Sequence, residues 1–335
     1  MPDQIEPVTG HQIRSILELA FGDGAAVESI LPLEGGSINR TFEAALRDRP
    51  AVILRVAPSD AGAAAGPSWL TPWGLRREQA VIALATPALG DLLPVTIASD
   101  FDRAVIDRDW VVQERMPGVQ LSTVDADLSL EERTALWIEF GQLTRRLHDT
   151  PGEWFGPPAA GPRFDRLSDL LRHDADGLRD DAGRFDLPEL PFRRLRDRIV
   201  ALAAILDDNP GPRLVHSDLA PTHVFVARDG DGKWRVSGVI DLEFGRFCDP
   251  RFEGLISEPE REGASSAARD PFLSGYGRRF DTPEDRSLLH VSEALGHGWS
   301  ATLLAFQGRR EHVPGVIARM ENALAGGAHS TWTMN

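Results

Sequence analysis

The chemically richest stretch of the 335-residue sequence runs from Leu214 to Glu243. It holds His216, Asp218 and His223, and it ends in Ile240, Asp241, Leu242 and Glu243. Val224 to Ala227 and Arg235 to Ile240 are strand-like, and Asp229-Gly230-Asp231-Gly232 supplies a turn between them. Facing residues of a hairpin have numbers with a constant sum, so a turn centred near Gly232 puts His223 opposite Asp241. Both then emerge at one end of the ribbon, within reach of one metal ion. Asp218 lies in the preceding loop, whose path Pro221 helps to fix. One carboxylate to orient an attacking hydroxyl, and a second with a neighbour to hold a divalent cation, are the parts that phosphoryl transfer requires.

The elements that must position these groups follow from patterning. Thr9 to Gln12 has capping-box spacing before Ile13, Ile16, Leu17 and Ala20, which recur as on a helix. Strand-like runs follow at Ile30 to Leu33, Thr41 to Leu46 and Ala51 to Val56, separated by Gly35-Gly36 and by Arg47 to Pro50. The Ala/Gly/Pro-rich stretch from Asp60 to Pro72 has the composition of a local loop. A helix is predicted from Leu75 to Leu84, then strands near Pro94 to Ala98, Arg103 to Ile106 and Trp110 to Glu114. Pro117-Gly118 makes a hinge.

Beyond it the texture is helical. Ser129 to Glu132 repeats the capping-box spacing, and Leu136, Phe140, Leu143 and Leu147 share one face. Phe192 to Leu206 and Arg286 to Phe306 are further helices, and Asp249-Pro250 reads as an N-cap followed by a first-turn proline. The predicted fold class is α+β with two lobes. Residues 1–116 form a small antiparallel-sheet lobe, and residues 117–335 a larger, mainly helical lobe interrupted by one hairpin.

Composition narrows the partners. Lys and Arg number 36 against 51 Asp and Glu, a net charge of −15. Duplex nucleic acid and anionic membrane surfaces are repelled by such a field, whereas a cationic small molecule is drawn to it. A single cysteine, Cys248, permits no internal disulfide. The N-terminus lacks the basic start and apolar run of a signal peptide, and no run of about 18 apolar residues appears, so a soluble cytoplasmic protein is expected. Nothing in the sequence signals an oligomeric state. Lys233 is the only lysine, which leaves arginine to meet phosphates elsewhere.

The pattern His216, Asp218, His223, Ile240, Asp241 resembles that of the aminoglycoside and macrolide phosphotransferase family, which has a protein-kinase-like two-lobed fold. The resemblance implies that Asp218 is the catalytic aspartate and Asp241 the main Mg2+ ligand. His223 takes the second ligand position, where most of the family has asparagine and the macrolide kinases histidine. Val52 to Arg55 is similar to the strand carrying the phosphate-contacting lysine, so Arg55 stands in that place with Glu78 as its acidic partner. Arg keeps the charge and adds a fork for two phosphate oxygens. Val111 to Gly118 resembles the hinge strand that meets adenine, which places Glu114 and Met116 at the nucleotide base. Gly35, Gly36 and Ser37 stand where these enzymes loop over the phosphates. Leu143 to His148 resembles the long helix before the catalytic loop, and His216 reads as a packed scaffold histidine.

The implied activity is transfer of the γ-phosphate of ATP or GTP to a hydroxyl of a small cationic molecule, with an aminoglycoside or basic-peptide antibiotic as the leading acceptor and resistance as the role. The stretch from Asp165 to Glu189 carries eight acids. Its Asp176, Asp180 and Asp181, together with Glu243, are the expected substrate-recognition residues. Alternatives are a macrolide kinase, an amino-alcohol kinase, a metal-dependent hydrolase using His216, His223 and Asp241 as ligands, and a non-catalytic nucleotide-binding protein.

Overall fold

Helix α1 (Gly10–Phe21) begins where the capping spacing predicts: the Thr9 hydroxyl accepts from the Gln12 N–H, and the Gln12 side chain accepts from the Thr9 N–H. The structure is a computed structural model that describes residues 7–22, 26–33, 38–257 and 266–326. Gly35, Gly36 and Ser37 lie outside the described residues. Ile13, Ile16 and Leu17 of α1 are buried with residues of an antiparallel sheet. Its strands β1 (Val27–Pro32), β2 (Arg40–Leu46), β3 (Arg49–Val56), β4 (Thr96–Asp100) and β5 (Trp110–Glu114) lie in the order β1-β2-β3-β5-β4.

Two expectations fail here for local reasons. Arg103 to Ile106 is not a strand. The Asp100 carboxylate accepts from the N–H groups of Asp102, Ala104 and Val105 and winds the chain into a turn, with Arg103 at φ +59°. The stretch from Asp60 to Pro72 is not all loop, because the Ser59 hydroxyl caps Gly62 N–H and starts a short helix, α2 (Asp60–Ala65).

Helix α3 (Gly74–Leu89) runs past the expected Leu84. Its Val81, Ala85 and Leu89 join the same core as Leu136, Trp137 and Phe140, while its Leu75 packs with Val111 of β5, so α3 ties the sheet to the helical part of the chain.

That part begins with β6 (Val119–Gln120) and α4 (Leu121–Val124), then α5 (Leu130–His148), capped by Ser129 and Glu132 as predicted. Helices α6 (Leu167–Arg184), α7 (Glu189–Ala201) and α8 (Ala203–Asp207) precede β7 (Arg213–Val215). The hairpin β8 (Val224–Arg228) and β9 (Trp234–Val239) follows, then β10 (Arg246–Cys248), α9 (Gly254–Ser257), α10 (Arg269–Tyr276), α11 (Pro283–Phe306) and α12 (Val313–Leu324).

The expected lone hairpin is extended: β6 adds to β8, and β7 pairs with β10 in a separate ribbon. Gly118 makes the first of these pairings workable. It sits at φ +89°, and a Cβ there would lie 2.1 Å from the Val226 carbonyl oxygen. Asp249 accepts from Arg251 N–H ahead of Pro250, as the N-cap reading predicts. Among the described residues no helix is long and apolar enough to cross a membrane.

Candidate active site

The loop from β7 to β8 carries Asp218, and a buried acid holds it from below. Glu253 accepts from the backbone N–H groups of His216 at 2.8 Å and Leu219 at 3.2 Å, and His148 Nε2 lies 3.2 Å from the same carboxylate. His148 Nδ1 is 3.0 Å from the Tyr276 hydroxyl. Burial disfavours the Glu253 charge, but the bonds from His148 and Leu219 and the nearby imidazoles outweigh it and hold the carboxyl below its usual range. None of this network was singled out from sequence beyond Leu143 to His148. An acid set among Phe252, Leu255 and Ile256, just past the Asp249-Pro250 cap, was the available signal.

His216 is fully buried and donates from Nε2 to the Ile240 carbonyl at 2.9 Å. Burial lowers its pKa, so it serves as a neutral strut between the catalytic loop and the strand leading to Asp241. Among the described residues the histidine and acid atoms that come within reach of one ion are those of Asp218, His223 and Asp241, so the ligand set His216, His223 and Asp241 is not assembled.

The hairpin register differs by one residue from expectation. Ile240 N–H donates to the His223 carbonyl at 3.0 Å, so His223 faces Ile240 and not Asp241. The turn is centred near Asp231 and not Gly232, with Ala227 facing Arg235 and Arg228 facing Trp234, an offset of two residues; a bulge that leaves Ser237 over, between the Phe225–Gly238 and Val226–Val236 pairs, gives one of them back. Asp241 nevertheless turns back toward His223 because its backbone is left-handed, at φ +67°. Its Oδ2 lies 3.6 Å from His223 Nε2. Ser217, beside Asp218, has φ +70°, so both acids of the site flank or occupy sparsely populated backbone conformations.

One ligand atom from each of Asp218, His223 and Asp241 lies within 4.8 Å of the others. His223 Nδ1 donates to the Asp218 carbonyl at 2.6 Å, which fixes the tautomer and directs Nε2 toward Asp241. Two carboxylate oxygens suit a hard divalent cation, and the imidazole adds a softer nitrogen. This donor set fits a divalent cation.

Arg55 faces this group from β3. It is 8% exposed; Nη1 binds Glu78, Nη2 lies 2.5 Å from Asp241 Oδ1, and Glu243 Oε2 is 3.7 Å away. Glu78 also accepts from the Leu242 N–H, and Glu243 from Asn39 Nδ2. Three acids thus crowd one guanidinium. Burial raises the pKa of Glu78. Burial and the charge of Asp241 push Glu243 up to about 8. Burial acts against Asp241 ionisation too, but Arg55 and His223 hold that carboxyl below its usual range. Glu243 therefore sits in the Arg55 cluster. A Cβ on Gly74 would lie 2.9 Å from its carboxylate, so the bare start of α3 leaves it room.

Asp218 lines a cavity of about 1230 Å³. Its walls come from the segment between β3 and α3, with Trp69 and Trp73, from α6, and from Phe244 and Trp299. Asp176 and Asp180 line it, but Asp176 binds Arg196 Nε at 2.8 Å, and Arg179 lies 3.2 Å from both acids. Asp181 is a correction to expectation: it is 2% exposed and accepts from the N–H and hydroxyl of Ser68, fastening that segment to α6. On the sheet side, Glu114 is exposed at the end of β5, and Met116 is buried against Gly238.

A family profile described as "APH: Phosphotransferase enzyme family" matches residues 29–288. Among solved structures, the gentamicin complex of APH(2'')-IIa is 14% identical with a TM-score of 0.67, covering 97% of this chain and 100% of that one. A ternary complex of a thermostable APH(4)-Ia mutant with ADP and hygromycin B is 18% identical with a TM-score of 0.66, covering 95% and 100%. The GDP complex of aminoglycoside 2'-phosphotransferase-IIIa is 14% identical with a TM-score of 0.66, covering 95% and 99%. These likenesses establish the kinase-like fold. A search of curated protein sequences returned no match.

Proposed function

Because this chain belongs to the phosphotransferase enzyme family, we propose that it transfers the γ-phosphate of ATP or GTP to a hydroxyl of a small, amine-bearing acceptor. The observation that carries this reading is the convergence of Asp218, His223 and Asp241 at the wall of a cavity large enough for such an acceptor. Residues 1–116 are taken as the donor lobe and 117–335 as the acceptor lobe.

Asp218 orients the acceptor hydroxyl and takes its proton late in the transfer. Asp241 and His223 hold Mg2+, which when bound neutralises donor phosphate charge. Arg55 grips phosphate oxygens with its fork, and Glu78 keeps the guanidinium extended toward them. Gly35, Gly36 and Ser37 cover the phosphates, and Glu114 and Met116 border the base. Asp176 and Asp180 give the cavity its acidic side, and Glu243 acts through Arg55.

Two of the structural relatives hold gentamicin and hygromycin B, which makes an aminoglycoside the first acceptor to try and antibiotic resistance the first role. The test is nucleotide consumption with Mg2+ over a panel of aminoglycosides, basic peptide antibiotics, macrolides and amino alcohols. Acceptor-dependent consumption with one phosphorylated product supports the reading. Equal consumption with and without every acceptor contradicts it.

A further inference from the structure

Successive residues of a helix project about 100° apart, so Glu78 of α3 can meet Arg55 while Arg77 lies on the cavity that Asp218 lines. The Arg77 guanidinium makes no hydrogen bond or ion pair with any described residue, and its Nε is buried without a partner. Burial depresses its pKa, and the charge of Arg246 depresses it further. Glu243 and Asp174 act in the opposite sense without binding it.

Arg246 stands on the same wall. Its Nη1 donates to Asp174 at 2.6 Å, its guanidinium carbon lies 5.2 Å from the centre of the Trp299 ring, and its Nε and Nη2 are buried without partners. Asp174 is thus committed to Arg246. The wall keeps two guanidinium groups for one carboxylate, in a place where an unpaired cation is costly. The acids elsewhere on the cavity are mostly matched within the wall: Asp169 binds Arg172, and Asp176 binds Arg196.

We propose that Arg77, backed by Arg246, is an anion subsite of the cavity, so that the acceptor carries a carboxylate or similar oxyanion besides its hydroxyl. The proposal rests on the reading of this cavity as the acceptor site. The donor phosphates have their own cation in Arg55 on β3, whereas Arg77 shares its cavity with Asp218, Trp73 and Trp299. Asp165 lines the same space, as does Asp180 beside Arg179. A ligand matching both signs is a hydroxylated zwitterion of the amino sugar acid class. A fork such as Arg77 suits a planar carboxylate.

The experiment compares amino sugar acids with their primary amides, pairs that differ in one charge at nearly constant shape. Binding to the wild type and to Arg77→Met, Arg77→Gln and Arg77→Lys is followed by tryptophan fluorescence, because Trp69, Trp73 and Trp299 line the cavity. The wild type is expected to bind an acid roughly tenfold to a hundredfold more tightly than its amide, the size of one charged hydrogen-bonded contact. That ratio falls to near one in Arg77→Met and Arg77→Gln and returns in part in Arg77→Lys. The proposal is overturned by a wild type that binds neither member or both equally, or by a ratio that survives in the two neutral variants. It is also overturned if those variants weaken nucleotide binding in place of acid binding, which assigns Arg77 to the donor phosphates. Binding requires no turnover, so a wild type that discriminates yet consumes no nucleotide would sink the kinase reading alone.

Discussion

Arg55 Nη2 lies 2.5 Å from Asp241 Oδ1, so the cation of the sheet and the leading acid of the candidate metal group hold one another across the cleft. Glu78 binds the other end of the same guanidinium.

Arg55→Met is expected to leave Glu78 and Asp241 without their partner and Glu243 without its nearby cation, and to cost about 3 kcal/mol of stability, as when one side of a buried ion pair is removed. It should also weaken nucleotide binding. Arg55→Lys keeps the charge without the fork, so it should fold and lose part of the nucleotide affinity. Denaturant unfolding and nucleotide titration check both. Wild-type nucleotide affinity in Arg55→Met would remove Arg55 from the phosphate site.

Glu243 gives a pH signature. Its folded pKa is pushed up to about 8 by burial and by Asp241, above its ordinary value of 4.5. Between those values the folded chain binds more protons than the unfolded chain, so this group's contribution is full below about 4.5 and is lost as pH rises toward 8. Glu243→Gln removes the titration and can still accept from Asn39. Its melting temperature should therefore rise relative to wild type as pH climbs from 5.5 to 8.5. A gap independent of pH would mean that Glu243 does not titrate in that window.

Glu253 receives N–H donors on both oxygens, from His148 and His216 on one and from Leu219 and Gly254 on the other. Glu253→Gln sets an amide NH2 against such donors. A loss of about 3 kcal/mol is expected, the range for unmaking bonds to a buried charge. Turnover should fall more than nucleotide affinity, because the loop holding Asp218 loosens while the Arg55 cluster is untouched. Matched losses in turnover and nucleotide affinity would contradict this positioning role.

Asp181 anchors the segment between β3 and α3 through Ser68. Asp181→Ala should speed hydrogen exchange at the Ser68 amide and raise the acceptor KM, because that segment carries the Trp69 and Trp73 walls of the cavity. Unchanged exchange at Ser68 would show that the wall is held by other contacts, such as the Trp69 Nε1 bond to Thr302.

Much of this arrangement is legible in the sequence because its signals are local. The Thr9 and Ser129 caps, the alternating β8 and β9 strands and the Asp229 turn each rest on residues a few positions apart. The loop acid Asp218 and the post-strand acid Asp241 gain meaning from one hairpin. The hairpin register escaped because the run Asp229 to Gly232 does not fix where the turn is centred, and because no residue type at Ser237 demands the bulge that moves every pairing beyond it by one. Asp181 looked like its neighbours because helix periodicity shows which residues share a face but not what covers that face; Ser68 is 113 positions away. The acceptor reading of Glu243 fails for the same reason, since its partner Asn39 is 204 positions away in the sequence.

The central claim is that Asp218 serves the acceptor hydroxyl and not the fold or the nucleotide. Asp218→Asn preserves shape and removes the proton acceptor, so the most direct measurement is acceptor-dependent turnover in this variant beside its Mg2+-nucleotide affinity. The account predicts a loss of about a hundredfold or more in kcat, the usual size of a general-base contribution, with nucleotide affinity close to wild type. Wild-type turnover in Asp218→Asn with a good acceptor would contradict it.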